Sequence, residues 1–292
     1  MPEAPAFERL LKRDRTITIA ALVALCVLAW LYIVAGAGLG MSAWDMTSFT
    51  LFPHLQGHDT SSMPGMDMGG ASPGRAAWGH VAWGLADWAL IVAMWWIMMI
   101  AMMTPSAAPA ILIYARVHRA ALAQGQVQDK LAPTDAFALG YMLVWLGFSA
   151  VAAVLHWLLE GTGLVAAMMM GSRSRWLSGA VLIAAGLYQL APLKNACLAH
   201  CRSPAAFLSR HWRPHRLGAL RLGVLHGAYC VGCCWMLMAL LFVGGVMNLV
   251  WIAALAILVL VEKVLRRGPW VGRGAGIVMI GWGIATLVVS RS

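Results

Sequence analysis

A chain of 292 residues with 61% hydrophobic side chains, only 11% charged ones and a mean hydropathy of +0.77 is no ordinary soluble domain, since such domains carry about a quarter charged residues. Apolar runs of the roughly 20 residues needed to cross a bilayer recur along it, and the alternation of a transmembrane β-barrel is absent. The net charge of +10 does not call for a nucleic-acid partner, because the basic residues gather on one side of the expected topology.

The pattern predicts an all-α, polytopic transmembrane helical bundle of about seven spans, since only helices satisfy the backbone inside lipid without closing a barrel. A short tail, 1–16, precedes a first span at 17–39. That apolar stretch is longer than the roughly 7–15 residues of a signal-peptide core. Further spans are expected at 81–103, 134–158, 175–193, 222–246, 249–265 and 273–290, with Gly232, Gly244 and Gly245 interrupting the fifth and a very short turn leading to the sixth. Region 81–292 as a whole reads as one bundle. With the N-terminus in the cytoplasm, every basic residue except Arg75, Arg173, Arg175 and Arg291 lies inside, as the positive-inside rule requires. This places the chain as a multi-pass protein of the bacterial inner membrane, in contact with lipid, with loop 40–80 in the periplasm.

That loop carries "HDTSSMPGMDMGG", where Met63, Met66 and Met68 stand with His54, His58, Asp59 and Asp67 among Gly, Ser and Pro. Thioethers select Cu(I) and imidazoles suit Cu(II) or Zn(II), so the loop reads as a soft-metal lure; packing on the membrane surface is the alternative. Just below it, His80 and Asp87 are seven residues apart, and His156 and Glu160 are four apart near the end of the third span. Ionisable groups at membrane depth pair, bind ions or line water paths, so these four form a candidate outer metal site. The run "MWWIMMIAMMTP" gives one stripe of Met94, Met98 and Met102 and a second of Met99 and Met103. Packing is the ordinary role of such stripes. A thioether ladder for Cu(I) requires them to face other ligands rather than lipid.

Pro105 is expected to close the second span, with a short interfacial helix following on the inner side. The inner segment 194–221 contains Cys197, His200 and Cys201, and the fifth span contains His226, Cys230, Cys233 and Cys234, both at intervals of three and four. Five of the six cysteines fall into these clusters, leaving Cys26 as packing in the first span. Cytoplasm-facing thiols stay mostly reduced, and thiolate pairs bind Cu(I), Zn(II) or iron–sulfur clusters or exchange electrons. At the inner end of the sixth span, Glu262 and Lys263 either snorkel to the surface or serve the cysteines in a supporting role, Glu262 pairing with Lys194 or Arg202. No phosphate-binding loop, dinucleotide fingerprint or nucleophile elbow is present.

The segments "MWWIMMIAMMTPSAAPAIL", "YQLAPLKNACLAHCRSP" and "HGAYCVGCCWMLMALLFVGGVMNLVWIAALAILVLVEK" resemble a bacterial family of predicted metal-binding integral membrane proteins of unknown function, over roughly residues 78–265. The resemblance implies inner-membrane placement and marks Asp87, Lys194, Cys197, Cys201, Cys230, Cys233, Cys234, Glu262 and Lys263 as motif positions. Three functions follow from the residues. The first is copper handling, by transport or delivery to a periplasmic copper protein, with zinc or iron as alternative metals. The second is a metal-dependent membrane oxidoreductase built on His80, Asp87, His156 and Glu160. The third is an assembly or structural subunit of a membrane complex, for which fifteen tryptophans suit helix contacts and interfacial anchoring.

Overall fold

The computed structural model describes residues 4–38, 43–44, 47, 83–125, 133–165, 171–211 and 215–289. These form ten helices: α1 Ala4–Val34, α2 Leu85–Ala123, α3 Thr134–Gly161, α4 Arg175–Leu190, α5 Pro192–Arg202, α6 Pro204–His211, α7 Arg216–Ala239, α8 Leu241–Gly244, α9 Leu249–Val264 and α10 Gly268–Val289. The all-α expectation holds for the described residues, whose only β pairing is an isolated bridge between Val165 and Ser172. Among them, five helical stretches are long and apolar enough to cross a membrane: Thr16–Val34, Leu85–Ala123, Thr134–Gly161, Arg216–Gly244 and Gly268–Val289. The predicted span at 175–193 becomes α4 and α5, which reach spanning length only as a pair bent by 63°. The predicted span at 249–265 becomes α9, whose 16 residues extend about 24 Å, short of a hydrocarbon core of about 30 Å.

One expected boundary is wrong. Pro105 and Pro109 both lie inside α2, which runs unbroken for 39 residues. A helical proline frees the carbonyl four residues back, and here Cys26 on α1 turns its Sγ to that Ala101 carbonyl at 3.7 Å. Two residues on, the Met103 carbonyl accepts from Ser106 Oγ at 2.8 Å and from Tyr141 OH at 3.3 Å. Side-chain donors therefore serve the carbonyls around the disrupted turn, which is how prolines persist within buried helices. Cys26 has a definite task in this packing.

The fifth predicted span survives Gly232 and yields only at its end. Gly245, at φ 95°, turns the chain, and Asn248 Oδ1 caps α9 by accepting from Val250 N at 3.0 Å. The turn to the next helix is as short as its sequence implied.

Glycines bring helices into backbone contact. A Cβ on Gly223 would lie 2.0 Å from the Phe137 carbonyl oxygen, and one on Gly140 would lie 2.2 Å from that of Leu220, so α3 and α7 cross with nothing between them. Gly186 and Gly276 do the same for α4 and α10, where a Cβ on Gly186 would meet the Gly276 carbonyl oxygen at 2.5 Å. Small residues serve this purpose wherever helices pack without a hydrophobic driving force. The α3–α7 crossing sets Tyr141 of α3 against Cys230 of α7, while α2, α5 and α9 close around the same turn of α7.

Candidate metal centre

The spacing in α7 puts Cys230, Cys233 and Cys234 on adjoining positions of one face. All three are buried, each 1% exposed. Cys233 Sγ and Cys234 Sγ donate back to the Cys230 carbonyl, at 3.1 and 2.9 Å. From α5, Cys197 packs over Gly232, where an added Cβ would lie 3.0 Å from its Sγ, and Cys201 stands one turn further along the same helix face. The two cysteine motifs, distant in sequence, thus meet in space. All six cysteines are free thiols.

Groups from three other helices complete the cluster. Tyr141 OH lies 3.1 Å from Cys230 Sγ. Lys263 Nζ, from α9, donates to Cys230 Sγ at 2.8 Å and to Ser106 Oγ at 3.2 Å. The Met103 thioether of α2 lies 3.9 Å from Cys234 Sγ. Met94, Met98, Met99, Met102 and Met103 are each no more than 1% exposed, so both methionine stripes face the bundle interior. Tyr141 and Ser106 carry no signal in the sequence, because their importance lies wholly in what the helix crossings place beside them.

Glu262 and Lys263 do not snorkel: they are 2% and 7% exposed. Glu262 Oε2 pairs with Lys194 Nζ at 2.5 Å, and its Oε1 accepts from Gln189 Nε2 at 2.7 Å. The carboxylate sits where Gly272 leaves room, 2.9 Å from the position of an added Cβ. Arg202, the other expected partner of Glu262, instead donates to the Leu265 and Arg266 carbonyls at 2.8 and 3.0 Å. There it caps the C-terminal end of α9, as basic side chains do at exposed helix carbonyls. Being adjacent on a helix, Glu262 and Lys263 point about 100° apart; one is bound to Lys194 and the other to sulfur.

The histidines stay outside the thiol group. His200 stacks flat on Tyr229, with centroids 4.2 Å apart, and places Nδ1 2.9 Å from the Ala196 carbonyl oxygen. His226, one turn before Cys230, is buried among the rings of Phe137, Tyr141 and Phe207, and its Nδ1 has no hydrogen-bond partner.

On the opposite side, Asp87 accepts a hydrogen bond from Gly84 N at 3.0 Å in the first turn of α2. His156 is buried between Trp83 and Phe242 with its Nδ1 unpartnered, and Glu160 lies in the last turn of α3. His54, His58, Met63, Met66, Met68 and His80 lie outside the described residues. Among the described residues, no group of three or more His, Cys, Asp or Glu is positioned to hold a metal ion. Asp87, His156 and Glu160 therefore do not make such a site among themselves. The sulfur cluster offers Cys234 beside the Met103 thioether, with Cys230 and Cys233 on the same face of α7, rather than a closed cage. Two soft sulfur donors suit Cu(I), whereas structural zinc is held by four ligands.

Residues 92–286 match the family model PpoB2, described as copper chaperone. The chain belongs to the PpoB2 copper chaperone family. The match contains every clustered cysteine, Met103, Lys194, Glu262 and Lys263, and leaves out loop 40–80 and Asp87. The copper connection read from the thiols and thioethers thus agrees with the family. Neither a curated protein nor a solved structure matches the chain.

Proposed function

We propose that this protein is a copper chaperone embedded in the bacterial inner membrane, which holds its cargo as Cu(I) on the buried sulfur cluster of α2, α5 and α7. The carrying observation is that Cys230, Cys233 and Cys234, buried on one face of α7, stand beside the Met103 thioether, with Cys197 and Cys201 of α5 packed on the same helix. Copper arrives at the Met/His loop 40–80 on the periplasmic side and passes the inward-facing methionines of α2. It rests on the thiols until a copper protein takes it. Several donors in succession, each binding through two or three soft atoms, let the ion exchange without ever being free. Lipid surrounds the apolar helices, with the N-terminus cytoplasmic and the basic segments on that same side.

The test is metal analysis of the full chain purified from copper-supplemented cells, with X-ray absorption of the bound ion. Sulfur-only coordination that vanishes in a Cys201→Ser/Cys230→Ser/Cys233→Ser/Cys234→Ser variant is the expected outcome. Protein that emerges copper-free, or retains its copper in that variant, refutes the assignment.

A further inference from the structure

The neighbourhood of the sulfur cluster holds an unbalanced charge. Lys194 and Glu262 close on each other at 2.5 Å, both 2% exposed, and so cancel. Lys263, 7% exposed, forms no such pair among the described residues, the carboxylate next to it in sequence, Glu262, being taken by Lys194. Its ammonium turns to Cys230 Sγ at 2.8 Å and Ser106 Oγ at 3.2 Å. A buried cation with no anion is strongly disfavoured, and the group able to supply the missing negative charge is the sulfur cluster itself.

We propose that Lys263 is the specificity-determining residue of this cluster, setting it to accept a monovalent soft cation and reject a divalent one. The inference rests on the sulfur cluster being the copper site. Two thiolates of this face, Cys230 beside Lys263 and Cys234 beside Met103, carry two negative charges. With one monovalent ion they leave a single negative charge, which the Lys263 ammonium cancels. With a divalent ion the same two thiolates are already neutral, and Lys263 becomes an uncompensated cation in the protein interior. A divalent ion restores balance only by recruiting a third thiolate to one point, and no set of three Cys, His, Asp or Glu is so positioned among the described residues. Charge and donor number therefore favour the same ion. Lys263 does this without touching the metal, by fixing the charge beside Cys230; Ser106 holds the ammonium in place from α2.

The experiment compares Cu(I) and Zn(II) affinities of the purified full chain, each by competition with a chromophoric chelator, in wild type, Lys263→Met and Lys263→Arg. Lys263→Met is expected to weaken Cu(I) by about tenfold or more and to tighten Zn(II) by a similar factor, as follows when a buried charge is left unbalanced in one complex and removed from the other. Lys263→Arg, which keeps the charge, retains the wild-type preference. Equal weakening of both metals in Lys263→Met marks a merely structural role and overturns the proposal, as does an unchanged Cu(I)-to-Zn(II) ratio. If Lys263→Met does not accumulate as folded protein, Lys263→Gln carries the same comparison. A wild-type chain that binds no Cu(I), or whose Cu(I) persists in the four-cysteine variant, overturns the copper site itself. Cu(I) lost with the cysteines but indifferent to Lys263 overturns only the role of the lysine.

Discussion

Replacing Lys194 with methionine leaves the Glu262 carboxylate buried with Gln189 as its remaining hydrogen-bond partner of the two. At 2.5 Å the lost attraction is about 7 kcal/mol at an effective dielectric of about 20. Part of it offsets the desolvation of both ions, so the expected net loss is about 3–5 kcal/mol, the range for breaking a buried pair from one side. For a chain of this size that lowers the melting temperature by roughly 6–20 °C. Adding Glu262→Gln removes the stranded charge and keeps an acceptor for Gln189, so the double variant recovers most of the loss. The assay is thermal unfolding of the detergent-purified chain in wild type, both single variants and the double. A strongly non-additive cycle, with the double variant at least about 2 kcal/mol more stable than the sum of the singles, is expected for groups in direct contact. Additive losses, or a Lys194→Met cost below about 1 kcal/mol, refute the reasoning that this is a closed and desolvated pair.

Gly223→Ala places a Cβ against the Phe137 carbonyl and forces α3 from α7, at a cost of about 1–3 kcal/mol measured by thermal unfolding; wild-type stability contradicts the close crossing. Met103→Leu keeps the volume, so stability changes by less than about 1.5 kcal/mol, while loss of one soft donor weakens Cu(I) roughly tenfold in chelator competition. Asp87→Ala removes the acceptor for Gly84 N and costs about 1 kcal/mol with bound copper unchanged; a fall in copper stoichiometry places Asp87 among the ligands instead. Joint replacement of Met63, Met66 and Met68 by serine lowers copper uptake per chain in metal analysis, while the buried sulfur site still fills when Cu(I) is supplied directly.

Composition and hydropathy alone determined that the described residues are helical and where most of their helices lie, because an apolar run read as lying in lipid must close its backbone hydrogen bonds within itself. Spacing by three and four placed Cys197 with Cys201, and Cys230 with Cys233 and Cys234, since helical periodicity is local. The same local logic misjudged Pro105, because the donors that serve the neighbouring carbonyls, Cys26 and Tyr141, come from other helices. Only the tertiary structure decided that the two cysteine motifs meet, that Glu262 takes Lys194 and leaves Arg202 to cap α9, and that Lys263 turns to Cys230. Those outcomes depend on glycine-mediated crossings and on which buried charge finds which partner. Desolvation makes every buried ion choose a neighbour, and which neighbours are within reach is a property of the packed bundle.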